Sequence, residues 1–485
     1  MPSPTNAPTS AASAGSGPSG ALSPWTIALT AVAIFMVSLD NLVVTNALAS
    51  IRVDLGASIE ALEWTVNAYT LAFAVFLLTG AALGDRFGRR RVFVIGLGIF
   101  TAASAAAALA PSTGALIAAR ALQGIGAAIV APLSLTLLSA ATPVAKRGLA
   151  LGIWSGVSGL GVALGPLVGG AVIEGISWQW IFWLNVPVGL VLVPLALRKL
   201  SESHGPSRRL DLVGVGLASA GLLGVVYGIV RGNAAGWGSL EVTGSIATGA
   251  LLLAAFVVNE LRTAAPMLPM RFFRNRAFAA TNGVSLAMTF GIFGAIFLLA
   301  QFFQTVQMYS PLEAGLRTLP WTGMPMLVAP VAGILSDRIG SRPLMSTGLF
   351  LQAAAIVWIA LVTEPDVAYG LLVPAFVMGG TGMALVFAPA ANAVLGAVRP
   401  EEAGQASGAN NAIRELGGVL GVAVLAAVFT GAGGFGSPQA FVDGLVPALW
   451  VGAAMLALGG VIALLVPGKA RAPHAAAVEA VPVAA

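Results

Sequence analysis

The stretch "GDRFGRRR", residues 84–91, carries five formally charged side chains in eight positions: Asp85, Arg86, Arg89, Arg90 and Arg91. The chain around it avoids charge. Of 485 residues only 9% are Asp, Glu, Lys or Arg and 58% are hydrophobic, with a mean hydropathy of +0.92. A soluble domain carries roughly 25% charged residues. On both sides of the stretch lie apolar runs of about 20 residues, enough to cross a ~30 Å hydrocarbon core as a helix. Lipid offers backbone N–H and C=O groups no water, so each run must close its own hydrogen bonds as an α-helix. The 60 glycines and 28 prolines fit such a bundle, where small residues let helices approach closely and neighbours tolerate breaks.

Working outward from the stretch gives fourteen predicted spans, at about 25–46, 62–83, 92–110, 114–138, 148–172, 178–197, 212–231, 241–261, 278–303, 315–335, 343–363, 368–395, 405–430 and 444–466. Lys and Arg test the alternation, because they concentrate in cytoplasmic loops. With a cytoplasmic N-terminus, 20 of the 24 fall on the inner side, Arg414 among them. Arg52, Arg231 and Arg317 fall outside, and Arg120 lies within a helix. This bias places both termini in the cytoplasm and puts "GDRFGRRR" in the inner loop between the second and third spans.

A second copy supports that placement. "SDRIGSR", residues 336–342, shares the pattern D-R-x-G-x-R, aligning Asp85 with Asp337, Arg86 with Arg338, Gly88 with Gly340 and Arg90 with Arg342. Each copy follows the second helix of a six-helix block. The expected organisation is a tail at 1–24, an N-terminal half at 25–198, two inserted helices at 199–277, a C-terminal half at 278–466 and a tail at 467–485. Two similar halves around a central cavity form a transporter architecture. Residues 1–24 lack Lys and Arg and so do not read as a signal peptide; both tails read as disordered.

Composition excludes several chemistries. There is no cysteine, hence no disulfide or thiolate metal site. No Gly-rich loop with Lys and Ser/Thr suggests ATP use, and no nucleophile–base cluster or metal set suggests an enzyme. The sequence pI near 10.1 reflects basic residues scattered through short loops, not a nucleic-acid face. No cofactor and no obligate protein partner is implied.

Several motifs taken together resemble the major facilitator superfamily, in its fourteen-helix drug:proton antiporter branch. They are "GAALGDRFGRRRV" at 80–92, "RALQGIGAA" at 120–128, "GVALGPLVGG" at 161–170, "WQWIFWLNVPVG" at 178–189, "LDNLVVTNAL" at 39–48 and "NNAIRELGGVLGVAV" at 410–424. Gln179 departs from a position that is often basic in that branch. The resemblance implies a cytoplasmic latch at Gly80, Gly84, Asp85, Arg86, Gly88, Arg89 and Arg90, with a second copy at Asp337, Arg338, Gly340 and Arg342. Asp85 is expected to cap the thirteenth span near Ala403–Gln405, where a helix N-terminus favours an anion, and the glycines are expected to give the latch its close packing. The fifth-span motif, Gly161, Gly165, Pro166, Gly169 and Gly170, implies a bend and a smooth sliding face.

Two charges stand deep in apolar runs. Asp40 lies roughly 22 Å from the inner face and Arg120 roughly 9 Å from the outer, at 1.5 Å per residue. Both fall in the outer half of the bundle, and intramembrane charge is a functional hypothesis by default. Asp40 is the expected protonatable site, with Arg120 its partner and Gln123 and Gly124 lining the same cavity; the alternative is a static ion pair. Met288 and Met324, with Met326, suit an adaptable pocket. Gln301 and Gln304, with Gln307, are possible substrate contacts, although a position facing surface water is favoured. Trp178, Trp180 and Trp183 read as an interfacial belt, and Glu313, Arg317, Glu401, Glu402 and Glu415 as solvated.

These features point to a proton-coupled antiporter in a bacterial plasma membrane, exporting small, largely apolar drugs or antibiotics by alternating access. Its expected partners are a hydrophobic small molecule, the proton and the bilayer. An uptake symporter for a polar metabolite would show more inward-facing charge, and a non-transporting receptor or scaffold would need a soluble partner-binding domain.

Overall fold

The computed structural model describes residues 24–143, 147–204, 211–399 and 402–468. The described residues contain helices and no strand; besides a 3-10 turn at Met270–Arg274 and a π-helical turn at Phe302–Val306, the helices are α1 (Pro24–Leu55), α2 (Ile59–Phe87), α3 (Arg89–Ala108), α4 (Thr113–Ala141), α5 (Arg147–Gly175), α6 (Trp180–Trp183), α7 (Asn185–Lys199), α8 (Leu212–Ala235), α9 (Leu240–Arg262), α10 (Arg276–Gln301), α11 (Pro311–Thr322), α12 (Met324–Ile339), α13 (Ser341–Val362), α14 (Tyr369–Gly396), α15 (Ala403–Ala432) and α16 (Pro438–Leu464). Thirteen stretches are long and apolar enough to cross a membrane. A pair bent by 48°, Ile59–Leu77 and Thr79–Phe87 within α2, makes a fourteenth. The sixth span is α6 with α7, and the tenth is α11 with α12, interrupted at Gly323. The expected tails fall outside the described residues, except for 24, 467 and 468.

The face where α1 begins and α16 ends is here called the inner face, and the opposite one the outer. Five of the helices that start at the outer face are capped by serine. Ser58, Ser112, Ser239, Ser310 and Ser437 each accept a hydrogen bond from a backbone N–H in the first turn of α2, α4, α9, α11 and α16. Such caps answer donors that have no intrahelical partner, each contributing about 1 kcal/mol.

At the inner face the repeated D-R-x-G-x-R explains its own glycine. Gly88 has φ +104° and separates α2 from α3; Gly340 has φ +87° and separates α12 from α13. Only glycine takes that backbone without strain, so each copy ends one helix and starts the next with no loop between them.

In the first half, α1 packs on α5 and α4, α2 on α4, and α3 on α4 and α7. In the second, α10 packs on α15 and α16, α13 on α14 and α16, and α12 on α14. The inserted α8 and α9 pair with each other, and α8 lies against both α2 and α15. Arg231 of α8 bonds Glu60 of α2 at 3.2 Å and Glu241 of α9 at 2.9 Å. Asn233 of the same helix donates to the Ala427 carbonyl and, at 2.7 Å, to Thr430 on α15. The insertion therefore ties the outer ends of the two halves. Two expectations are corrected here. Arg414 is the twelfth residue of α15, not a loop cation, and Glu415 beside it is buried at 7% exposure rather than solvated.

Gly88→Ala should lower thermal stability by about 1–3 kcal/mol, the cost of a non-glycine residue at such a φ. Gly98→Ala, inside α3 with open space around it, should be neutral or gain up to about 1 kcal/mol. Melting curves of the two detergent-purified variants check both signs.

Candidate functional site

Asp40 and Arg120 meet. Arg120 Nη1 donates to Asp40 Oδ2 at 2.6 Å, and the residues are 0% and 1% exposed. Gln123 and Asn185 donate their side-chain amides to Asp40 Oδ1 at 2.9 and 2.8 Å. Gln123 also donates to Ser104 Oγ at 2.7 Å and accepts from Arg120 Nη1 at 2.8 Å. Arg120 Nε donates to the Thr65 carbonyl at 3.3 Å, and its guanidinium lies over the Tyr69 ring at 4.2 Å. Five helices thus converge on one carboxylate: α1 brings Asp40, α2 Thr65 and Tyr69, α3 Ser104, α4 Arg120 and Gln123, and α7 Asn185. Arg120 and Gln123 are three apart on α4 and so share a face.

The arrangement corrects one expectation. Gln123 and Gly124 do not line a cavity. Gln123 is fully buried within the network, and a Cβ at Gly124 would collide with the Tyr69 carbonyl; the second position is small so that α4 can lie against α2.

The stretch at 84–91 is held by its own side chains and by the segment that follows α7. Asp85 accepts from Arg89, one turn on, at 2.8 Å. Arg86 is exposed and lies over Phe87. Arg90 Nη1 donates to the Leu200 carbonyl at 3.3 Å. Glu202, from the segment after α7, accepts from the backbone N–H of Arg90 at 2.9 Å and of Arg91 at 3.2 Å, so it answers the N-terminus of α3. The Ala403 and Gly404 side of the expected Asp85 contact lies outside the described side chains. Glu402 stands at that helix start, gripped by Arg399 and Arg271 at 3.2 and 2.6 Å. The hydrogen bond from Arg399 holds its carboxyl below the usual range. Gly80 and Gly84 serve a packing other than the expected one: a Cβ at either would strike α4, at Ala128 and Leu133. In the second copy, Arg338 and Arg342 are exposed, and the Asp337 side chain lies outside the described set.

The fifth-span motif presents two faces. Gly161, Gly165 and Gly169 lie against Phe35, Leu42 and Val43 of α1. Gly170 abuts Pro311 and Leu312 of the other half, and Gly315 of α11 abuts the Pro166 carbonyl. That carbonyl accepts from Asn46 Nδ2 at 2.7 Å, while the Asn46 carbonyl accepts from Gln304 at 3.0 Å across the halves. Arg52 lies 3.8 Å over Phe435 nearby. The halves are therefore closed together at the outer side.

One pocket lies within the second half and another between the two halves. The inner one, between α10, α14 and α15, includes Met288 and Arg414. The outer one, between α1, α5, α10, α11 and α14, includes Trp321 and Phe376. Met324 is half-buried against Gly380 of α14, whereas Met326 is 44% exposed. The glutamines do not face surface water: Gln301 is 1% exposed, Gln304 makes the cross-half bond, and Gln307 donates to the Pro365 carbonyl at 2.6 Å. Trp178 is buried and donates to Asp54 at 2.8 Å, so it is no interfacial belt residue. Among the described residues no cluster of His, Asp or Glu is suited to a metal ion.

Sequence reading misses Asn185, Ser104 and Tyr69, neutral residues that resemble many others in the chain. It also misses Glu63, 3% exposed on α2 with Oε2 unpartnered among the described residues; an acid inside a predicted span is the available signal.

The model of the Major Facilitator Superfamily matches residues 30–422 and 284–483. The chain belongs to the Major Facilitator Superfamily. It is 35% identical over 427 residues to the tetracenomycin C resistance and export protein of Streptomyces glaucescens, covering 87% of this chain and 79% of that one. It is 39% identical over 475 residues to the cephamycin export protein CmcT of Amycolatopsis lactamdurans, covering 94% and 95%. Among solved structures it resembles the partially occluded inward open xylose transporter XylE from E. coli. The TM-score is 0.62 at 14% identity, over 92% of this chain and 98% of that one, a likeness of fold. This member of the superfamily is a multi-pass membrane transporter of the plasma membrane.

Asp40→Asn and Arg120→Gln should each destabilise the protein by about 3–5 kcal/mol, since each leaves a buried charge without its counter-ion. The double variant should lose clearly less than the sum. Denaturant unfolding of the four proteins in mixed micelles measures the coupling; additive losses would separate the two residues.

Proposed function

We propose that this transporter exports small, largely apolar drugs or antibiotics in exchange for protons, with both termini in the cytoplasm and Asp40 as the proton-carrying group. The observation that carries this reading is the fully buried Asp40 carboxylate, bonded by Arg120, Gln123 and Asn185. Protonation removes the counter-ion of Arg120, which keeps Gln123, Thr65 and the Tyr69 face as partners. The names of the relatives, which denote antibiotic export, favour drugs as substrates. The expected cycle takes up a proton when the cavity faces out and releases it inward as substrate leaves.

Asp40→Asn should abolish drug-induced proton release from everted vesicles while the protein inserts normally. Undiminished antiport in that variant would remove Asp40 from the coupling step.

We further propose that the Asp85–Arg89 pair is the released form of a latch that engages α15 when the cavity faces out. Asp85→Asn keeps every topological arginine and should shift the population toward inner-open states. The measure is faster thiol labelling of a cysteine placed at the inner mouth of this cysteine-free chain. Unchanged labelling and transport would leave the stretch a topology signal alone.

A further inference from the structure

The inner-side pocket holds one charged side chain among the residues described around it, and that side chain is a cation. Arg414 enters from α15, its side chain 29% exposed, and reaches forward to its buried neighbour Glu415 through Nη2 at 3.3 Å. That contact uses one of the five N–H donors of a planar guanidinium. The plane stands 5.2 Å from the Phe387 ring, another wall of the pocket. Asn410, one turn before Arg414, donates Nδ2 to Asn282 Oδ1 at 3.1 Å and to Ser285 Oγ at 2.9 Å. Ser285 is an acceptor in that bond, so its hydroxyl proton is left to donate. Met288, Phe387 and Ala390 complete an apolar wall.

We propose that this pocket is a subsite for amphipathic organic anions: Arg414 and the Ser285 hydroxyl hold a carboxylate, and Glu415 holds Arg414 in its place when the pocket is empty. The proposal rests on the exporter reading and adds a charge class to it. The chemistry is specific. A guanidinium matches a carboxylate with two parallel N–H bonds, which an ammonium does not. The apolar wall takes the body of the molecule, and a thioether adapts to bodies of different shape. Glu415 carries the same charge as the ligand, so ligand and Glu415 compete for one guanidinium. A neutral residue at 415 therefore strengthens anion binding, whereas a neutral residue at 414 weakens it. A purely structural ion pair has no such opposition of sign, because breaking it from either side strands a buried partner.

The test uses the full chain in phosphatidylcholine vesicles and two fluorescent probes of one body, anionic dansylglycine and neutral dansylglycinamide. Arg414→Gln should weaken dansylglycine at least about ten-fold, as loss of a charge-assisted bidentate bond does, and leave dansylglycinamide nearly unchanged. Arg414→Lys should fall between Gln and wild type. Glu415→Gln should tighten dansylglycine alone. Equal loss of both probes in Arg414→Gln, weaker dansylglycine binding in Glu415→Gln, or no change in either variant overturns the proposal. So does wild-type binding that disappears when phosphatidylglycerol replaces part of the lipid, which assigns the pocket to a lipid headgroup. Export is read separately, as extrusion of a neutral dye by the same vesicles. Its absence with charge-dependent binding intact removes the exporter reading and leaves the subsite.

Discussion

A carboxylate with no access to water must be answered by the protein around it, and Asp40 is answered from four other helices. The cost of an ion in a dehydrated bundle is several kcal/mol, offset only if geometry is good and the remaining lone pairs are bonded. Arg120 supplies the charge, Gln123 and Asn185 bond the second oxygen, and Ser104 and Thr65 position the donors. A shift of any one helix along its axis would break a bond that the others cannot replace. The network thus fixes the relative register of α1, α2, α3, α4 and α7, which apolar packing alone leaves loose. In lipid the hydrophobic effect does not press helices together, so contact shape and polar bonds decide how they sit.

Contact shape is the province of glycine here. Gly80 and Gly84 bring α2 onto α4, and Gly161, Gly165 and Gly169 bring α5 onto α1. The close approach of α2 to α4 is also what places Tyr69 over Arg120 and the Thr65 carbonyl against its Nε. Small residues and buried charge are therefore one design: the first sets the helix spacing, and the second requires that spacing.

The spans are legible in the sequence because an apolar run of membrane length suits little besides a membrane helix, and the two copies of D-R-x-G-x-R mark the same point in each block of six. The ion pair is legible because Asp40 and Arg120 break apolar runs at similar depth. What stays hidden is tertiary. The spacing of Gly80 and Gly84 shows that a face is smooth but not which helix lies on it, so a latch and a packing seam against α4 look alike. Glu202 caps α3 from a segment more than a hundred residues away in sequence, which no local pattern reveals. Asn185 and Ser104 are neutral, and a neutral polar residue in a span costs too little to stand out. Arg414 and Glu415 lie near a predicted helix start, where charge suggests a loop; α15 carries them inside.

One helix joins the proposed proton site to the outer seam. Asp40 and Asn46 are six residues apart on α1, about 9 Å along its axis. Asn46 bonds the Pro166 carbonyl on α5 through its side chain, and its own carbonyl takes Gln304 from the second half. The same Pro166 carbonyl lies against Gly315 of α11. An axial or rotational shift of α1, set off by a change in charge at Asp40, would act on the Asn46 bonds directly. It would act on α5 as well, because Gly161, Gly165 and Gly169 bring that helix close against the backbone of α1. A pair buried in one half and a closure made between both halves can then be coupled by a rigid element, without a chain of titrating groups between them. The requirement for such coupling is a helix that carries both the charge and the seam contact, and α1 is that helix.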